Sequence, residues 1–262
     1  MAESKITIMP VCADIYYHAY NEEETGKIPV VLIHGAGGTH LYWPSEIRRL
    51  PGFRIYALDL PGHGKSGGCG QQSIQAYTRA VLDWLNGAGL HSAVFVGHSM
   101  GSAVALSLAL EAPEHVLALG LIGGGAKLGV DPDILECASS PTTFQNAVDR
   151  IISGCFAPSA PESLTSIAAR RMVETRQTVL YGDFLACAGF DLSERVGEIN
   201  KPTLVVYGES DRMTPPRHSH FLAAAIPGAQ LAAIPEAGHM VMLEQPFRVA
   251  EALSAFLNTL SY

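Results

Sequence analysis

The chain has 262 residues, of which 48% are hydrophobic, and a formal net charge of −8. This composition supports a folded protein with a large core and excludes an intrinsically disordered chain. The acidic balance argues against a nucleic-acid partner, because nucleic-acid binding needs a basic face. No run of about 18 apolar residues occurs, so no membrane span is predicted. The first ten residues carry charges where a signal peptide would be apolar, so no secretion signal is expected.

Seven mainly apolar runs predict β-strands, at residues 13–21, 28–35, 53–60, 91–99, 115–124, 203–210 and 229–237. The runs lack polar/apolar alternation, which is typical of strands buried on both faces in a parallel sheet. Helical patterns at residues 73–89, 101–113 and 246–260 lie between or after them. The alternation of strand and helix predicts an α/β fold with a mostly parallel, doubly wound sheet.

Residues 126–196 interrupt this alternation, because they contain no convincing strand. Helical patterns occur there at residues 141–156, 161–175 and 178–190. A segment of this length is too long for an ordinary crossover loop. We therefore predict a helical cap over the carboxyl edge of the sheet, with core parts at residues 1–125 and 197–262. Extra helices packed beside the sheet are the alternative.

The five cysteines are far apart and form no Cys-x-x-Cys pair. This usage indicates reduced thiols in a cytoplasmic protein, and it argues against a disulfide framework or a zinc site. Elsewhere in the chain, no clustered ligands occur at the spacing of a metal site, so no metal is predicted.

A serine lies between two glycines in the sequence Gly-His-Ser-Met-Gly, at residues 97–101, where an apolar strand meets an apolar helix. The Gly-x-Ser-x-Gly pattern is typical of a nucleophile elbow, in which the serine oxygen stands clear of a sharp strand-to-helix turn. The start of the helix favours negative charge that develops beside the serine. Ser99 is therefore the predicted nucleophile.

A serine hydroxyl needs a base, and the base needs an orienting acid. The order that accompanies this elbow is serine, acid, histidine. Asp211 follows the strand at residues 203–210, and His239 follows the strand at residues 229–237. Both positions lie at the carboxyl edge of the sheet, where α/β proteins place their sites. We predict Asp211 as the acid and His239 as the base.

Several other residues are weaker candidates for these two roles. Glu209 lies in the same loop as Asp211 and is the alternative acid, whereas Asp183 and Asp191 fall in the cap or at its exit. His98 flanks the serine and points the wrong way along the elbow. His34 ends a strand and is expected to fix a loop by hydrogen bonds.

The loop "HGAGGTHLYW" at residues 34–43 follows the second long apolar strand and is rich in glycine. Acyl transfer places negative charge on a carbonyl oxygen, which backbone N–H groups can stabilise. We predict that the amides of Ala36 and Met100 form this oxyanion hole, and that Gly35 contacts the substrate. A plain glycine-rich turn is the alternative for the loop.

Five motifs follow one another along the chain: "HGAGGTHLYW", "DLPGHGKS", "GHSMG", "YGESDRMTPP" and "AGHMVMLEQP". A sixth, "GFDLSERVGEINKPTLVV", comes directly before the motif that contains the predicted acid. Together they resemble the α/β-hydrolase superfamily, in the branch of bacterial esterases and related capped hydrolases. The resemblance implies a triad of Ser99, His239 and Asp211, oxyanion donors at Ala36 and Met100, and no cofactor. It does not fix the substrate, because this fold hosts many reactions.

The favoured function is hydrolysis of small-molecule carboxylic esters through an acyl-enzyme on Ser99. Relatives that hydrolyse carbon–carbon bonds of dienones share the triad and the cap, so cleavage of such bonds or of lactones remains an alternative. A ligand-binding receptor of the same fold is a second alternative. Apolar side chains of the cap are expected to form an acyl or alcohol pocket; those predicted are Phe144, Phe156, Leu180 and Phe184.

Overall fold

The computed structural model describes residues 11–21 and 26–260, so the predicted boundaries at residues 1 and 262 and the first ten residues lie outside it. The strands are β1 (Val11–Cys12), β2 (Ile15–Tyr20), β3 (Pro29–Ile33), β4 (Arg54–Leu58), β5 (Ala93–His98), β6 (Val116–Ile122), β7 (Thr203–Gly208) and β8 (Gln230–Ile234). They form one sheet in the order β1-β2-β4-β3-β5-β6-β7-β8.

The sheet is parallel from β4 to β8 and antiparallel only where β2 pairs with β1 and β4. The predicted mostly parallel sheet is thus confirmed. The sequence analysis missed β1, which has two residues and therefore no readable pattern. It also treated β8 as buried on both faces, whereas four of its five residues are exposed or half-buried. The physical reason is position, since β8 is an edge strand with a neighbour on one side only.

The helices are α1 (Ser45–Arg48), α2 (Ile74–Gly87), α3 (Met100–Glu111), α4 (Pro132–Ala138), α5 (Phe144–Cys155), α6 (Glu162–Val173), α7 (Gln177–Ala188), α8 (Pro216–Ala225), α9 (Val241–Glu244) and α10 (Pro246–Leu257). Helices cover both faces of the sheet. Alternate side chains of β3 therefore enter different buried clusters: Val30 and Leu32 pack with α1 and α10, and Val31 and Ile33 pack with α2 and α3. This two-sided burial explains the continuous apolar runs in the sequence.

Helices α4–α7 all lie between β6 and β7, within the segment predicted as a cap; residues 126–196 are called the insertion below. The structure adds α4, which the sequence analysis missed. Its start is marked by Asp131, whose side chain accepts a hydrogen bond from the Asp133 amide, and by Pro132 in the first turn. The division of the chain into core and cap domains stays a prediction.

The segments that follow the strands bring the predicted site residues to one edge of the sheet. Ser99 follows β5, Asp211 follows β7 and His239 follows β8, whereas the loop that contains Ala36 follows β3. In the part of the chain that the structure describes, no helix is long and apolar enough to cross a membrane.

Candidate active site

Ser99 occupies a strained turn between β5 and α3, with φ 53° and ψ −115°. The two glycines of the motif allow the close packing that this turn needs. A β-carbon on Gly97 would lie 2.1 Å from the Gly101 carbonyl oxygen, and one on Gly101 would lie 2.2 Å from the Ile33 carbonyl oxygen. Such strain persists only where the surrounding structure enforces it, and it is found most often at functional sites.

Asp211 and His239 form a buried pair, with Asp211 Oδ2 2.9 Å from His239 Nδ1. The other carboxylate oxygen of Asp211 accepts hydrogen bonds from the amides of Met213 (2.9 Å) and Thr214 (2.8 Å). Burial alone would raise the pKa of Asp211, but the charge and hydrogen bond of His239, with the Thr214 contacts, lower it below its ordinary value. Asp211 is therefore held as a carboxylate against His239 Nδ1.

Thr214 is a member of this group that the sequence analysis missed. Its hydroxyl oxygen lies 2.9 Å from Asp211 Oδ2, 3.1 Å from His239 Nδ1 and 2.8 Å from the Gly123 carbonyl oxygen. These contacts connect the acid to the end of β6. A threonine three residues after the acid, in "DRMT", is the only signal that the sequence offered.

Ser99 and His239 line the same cavity. Among the described residues, no hydrogen bond joins the Ser99 hydroxyl to His239 Nε2. Without substrate, such catalytic contacts are often long, and they shorten in the complex. Ser99 and His239 thus line one cavity, with Nε2 of His239 available to a neighbouring group.

The predicted oxyanion donors, Ala36 and Met100, belong to two different segments near Ser99. Ala36 lines the cavity with Ser99, and Met100 is the first residue of α3. Within the described chain, neither the Ala36 nor the Met100 amide donates to a protein acceptor. Both N–H groups are therefore available to donate to a substrate oxygen, which predicted oxyanion donors must be.

The cavity beside Ser99 holds about 50 Å³ and is mostly apolar. No lysine, arginine, aspartate or glutamate of the described chain lines it. The lining consists of Gly35, Ala36, Tyr42, His98, Ser99, Leu128, Gly129, Val130, Ile151, Cys155, Met172, Phe184, Cys187, Met213, Thr214, His239 and Met240. The site therefore offers a small apolar chamber with its polar groups concentrated at the nucleophile.

The predicted pocket residues divide into two groups. Gly35 and Phe184 line the cavity, whereas Phe144, Phe156 and Leu180 do not. All four apolar side chains belong to the same core cluster, Phe156, Leu180 and Phe184 as buried residues and Phe144 as a partly buried neighbour. An apolar residue on a helix can thus belong to the core with or without lining the cavity, and the sequence pattern does not separate the two cases.

The other candidate acids lie in different environments. Glu209 is exposed, and Asp191 pairs with Lys127 at the surface, 2.9 Å between Oδ2 and Nζ. Asp183, in contrast, is fully buried on α7 and contacts Gly37, His63 and Tyr77. None of these three contacts is to His239. The sequence analysis considered Asp183 only as a weak candidate acid and did not anticipate this environment.

Two further histidines near Ser99, His34 and His98, form hydrogen bonds that define their roles. His34 Nδ1 donates to the Gly35 carbonyl oxygen (2.7 Å) and Nε2 accepts from the Leu60 amide (3.0 Å), so it fixes a loop as expected. His98 Nε2 donates to the His239 carbonyl oxygen (3.0 Å). Burial, followed by the neighbouring charge of His239, lowers the pKa of His98 to about 3. His98 thus stays neutral and holds the backbone of the base.

Among the described residues, no group of three or more histidine, cysteine, aspartate or glutamate side chains is arranged to hold a metal ion.

The sheet order, the strained elbow and the residues that follow the strands define an α/β hydrolase. A family model described as the alpha/beta hydrolase family matches residues 30–252, and the chain belongs to this family.

The known relatives have several activities. The chain is 32% identical over 244 residues to a dihydrolipoyllysine-residue acetyltransferase component of an acetoin cleaving system from Pseudomonas putida, covering 89% of this chain but 64% of that relative. It is 30% identical to a 2-hydroxy-6-oxo-6-phenylhexa-2,4-dienoate hydrolase from Burkholderia cepacia, covering 82% of each. A solved structure of a thermophilic esterase is 35% identical, with a TM-score of 0.83 and 94% of each chain covered. The family is therefore clear, whereas the names of the relatives describe different activities.

Proposed function

We propose that the protein is a serine hydrolase that cleaves carboxylic esters through an acyl-enzyme on Ser99. The observation that supports this most directly is the buried Asp211–His239 pair, which shares a cavity with a serine in a strained elbow. The similarity to the thermophilic esterase is consistent with ester hydrolysis.

In the proposed reaction, His239 Nε2 removes the Ser99 proton as the hydroxyl oxygen attacks the ester carbonyl carbon. Asp211 accepts a hydrogen bond from Nδ1, which fixes the tautomer and stabilises the imidazolium that forms. The proton then passes from His239 to the leaving alcohol oxygen. Water attacks the acyl-enzyme with the same base, and the acid product leaves.

The carbonyl oxygen becomes negatively charged in the tetrahedral intermediate. The amides of Ala36 and Met100 would donate hydrogen bonds to it at the start of α3, where the helix end also favours negative charge. Preorganised donors of this kind contribute roughly 10²–10³-fold to turnover for each one.

The lining of the cavity favours an uncharged substrate with a short acyl group. A substrate carboxylate buried in this cavity would have no lysine or arginine partner among the described residues, and an unpaired buried charge is unfavourable. This argues against an acidic dienone of the kind in the name of the Burkholderia relative. The small cavity volume of about 50 Å³ favours a short acyl group over a long one.

The test is hydrolysis of p-nitrophenyl esters from acetate to palmitate by the wild type and by Ser99→Ala. We expect the highest kcat/KM between acetate and butyrate, and no turnover by the variant. If the wild type hydrolyses no ester but is labelled at Ser99 by a fluorophosphonate, lactones and dienones become the substrates to test. If neither turnover nor labelling occurs, the nucleophile is wrong and a ligand-binding receptor is the better explanation. The cytoplasmic location, predicted from cysteine usage, also stays a proposal.

A further inference from the structure

Asp183 lies on α7 of the insertion and has no exposed surface. A carboxylate is tolerated in such a position only when its oxygen atoms are hydrogen bonded or ion paired. Its three partners all lie outside the insertion. Oδ2 is 2.8 Å from the Gly37 amide nitrogen and 2.8 Å from His63 Nε2, and Oδ1 accepts from the Tyr77 hydroxyl. One carboxylate therefore joins the insertion to the loops after β3 and β4 and to α2.

Gly37 is held by the insertion through both of its backbone groups. Its N–H donates to Asp183, and its carbonyl oxygen accepts from the Thr175 hydroxyl at 3.0 Å. Leu180 packs against the same residue so closely that a β-carbon on Gly37 would lie 2.6 Å from Leu180 Cδ1. The loop after β3 thus packs against the insertion at Gly37.

Gly37 directly follows Ala36, the proposed oxyanion donor. Because a peptide unit is planar, fixing the Gly37 N–H also fixes the Ala36 carbonyl group in the same plane. The Ala36 N–H lies in the peptide plane of the Gly35 carbonyl group, whose oxygen accepts hydrogen bonds from His34 Nδ1 (2.7 Å) and from the Gly38 amide (3.1 Å). The Gly38 bond closes a turn around Ala36 and Gly37, so the position of Gly37 contributes, together with His34, to the direction of the Ala36 N–H.

We infer that Asp183 and Thr175 are positioning residues that set the oxyanion hole through Gly37. This inference rests on the proposed serine-hydrolase function. It makes the insertion part of the catalytic machinery as well as a wall of the cavity, since the oxyanion loop has its productive shape only when the insertion is docked.

His63 compensates the negative charge of Asp183, so that this carboxylate can lie near the proposed oxyanion hole. Its Nε2 faces Asp183, and its Nδ1 lies 3.1 Å from the Pro61 carbonyl oxygen. Both partners only accept hydrogen bonds, so both ring nitrogens carry protons and the ring is a cation. The cation compensates the Asp183 charge, which would otherwise oppose negative charge on the substrate oxygen nearby.

The experiment measures the rate at which a fluorophosphonate labels Ser99, because the serine oxygen displaces fluoride from phosphorus while the phosphonyl oxygen enters the oxyanion hole. The variants are Asp183→Asn, Thr175→Val and Thr175→Ser. We expect Asp183→Asn to lower the rate roughly 10–100-fold, as a misplaced catalytic group does. Thr175→Val should lower it about 3–10-fold through the same loop, and Thr175→Ser, which keeps the hydroxyl, should recover most of the rate.

Two matched variants control for general effects of these changes. Asp191→Asn alters a surface carboxylate of the insertion, and Thr165→Val removes an exposed hydroxyl that donates to the Glu162 carbonyl oxygen within α6. Both should label at the wild-type rate. For the esters, Asp183→Asn and Thr175→Val should lower kcat with little change in KM, because the oxyanion contact forms in the transition state.

Equal labelling rates in the wild type and in folded Asp183→Asn and Thr175→Val proteins would overturn the inference. A Thr175→Ser rate as low as that of Thr175→Val would also overturn it, because the hydroxyl would then not matter. If Asp183→Asn does not fold, the Thr175 pair decides. A wild type that is not labelled at all would instead refute the proposed nucleophile, which is a separate failure.

Discussion

Two of the buried aspartate–histidine pairs in the described part of the chain have almost the same separation and different surroundings. Asp211 Oδ2 lies 2.9 Å from His239 Nδ1, and Asp183 Oδ2 lies 2.8 Å from His63 Nε2. In the first pair the second ring nitrogen is His239 Nε2, and His239 lines the cavity beside Ser99. In the second pair the corresponding nitrogen faces the Pro61 carbonyl oxygen.

This difference decides what each histidine can do. A neutral imidazole has one donor and one acceptor nitrogen, so His239 with Nδ1–H directed at Asp211 has Nε2 free to take a proton. His63 has an acceptor at each nitrogen and has no free lone pair to offer. The same pair of residue types therefore suits a general base in one region and a fixed ion pair in the other.

The first test, with the largest expected effect, removes the proposed nucleophile beside the Asp211–His239 pair. Ser99→Ala should lower ester turnover by about 10⁶-fold, as loss of a triad serine does, while the protein remains folded. The measurement is p-nitrophenyl acetate hydrolysis together with thermal unfolding. Ser107→Ala is the matched control, because that hydroxyl is buried in α3 without a hydrogen-bond partner among the described residues. Ser99→Ala turnover within tenfold of the wild type would refute the assignment.

The second test replaces the acid of the first pair. Asp211→Asn should lower turnover by roughly 10⁴-fold, because the amide favours the wrong tautomer of His239. Asp183→Asn should lose far less, since it acts through Gly37. Glu209→Gln, in the same loop as Asp211 but exposed, should keep the wild-type rate. A large loss of turnover in Glu209→Gln with a small loss in Asp211→Asn would show that Glu209, and not Asp211, is the acid.

The first region could be predicted from the sequence because its residues belong to motifs with local physical causes. A β-carbon on Gly97 or Gly101 would lie near 2 Å from a backbone oxygen, so glycine is required at both positions. Each residue of the proposed triad follows a strand that the apolar pattern reveals. The antiparallel edge strand β1 had no such signal, and the exposure of β8 depends on its place in the sheet, which a single segment does not encode.

The second region could not be predicted in the same way, because Asp183 belongs to no motif and its partners are far away in the sequence. The available signal was weaker: Asp183 is the only charged residue between positions 177 and 190 in an otherwise uncharged helix. A lone carboxylate in an apolar helix is rarely buried unless it is paired. That pattern indicates a buried partner, although only the fold identifies it as His63.

The third prediction concerns the stability of the second pair. Burial alone would lower the pKa of His63, but the charge and hydrogen bond of Asp183 outweigh it and raise the pKa. His34, whose ring centroid lies 4.8 Å away, adds no positive charge at neutral pH, because burial and His63 lower its pKa to about 4. His63→Gln keeps a donor but loses the charge, and it should destabilise the protein by roughly 3 kcal/mol near pH 6.

The sign of the pH dependence follows from the raised pKa. Stability from charged His63 is fully present below about pH 6.5, the ordinary histidine value, and it is lost as the pH rises through the higher folded value. The difference in Tm between the wild type and His63→Gln should therefore be largest at pH 6 and should narrow by pH 10. A difference that stays constant from pH 6 to pH 10 would show that His63 is not a cation in the folded protein.

The smallest change in Tm is expected for an exposed acid–base pair, because this pair tests pairing without burial. Asp191 and Lys127 lie 2.9 Å apart at the surface, with 47% and 63% of their side chains exposed. Hydrogen bonds from Lys127 and Ser193 lower the pKa of Asp191 to about 2, yet solvent screens the charges. Asp191→Asn should therefore shift Tm by no more than about 1 °C and leave turnover unchanged. A Tm decrease as large as that of His63→Gln would mean that pairing alone, without burial, accounts for the stability of the Asp183–His63 pair.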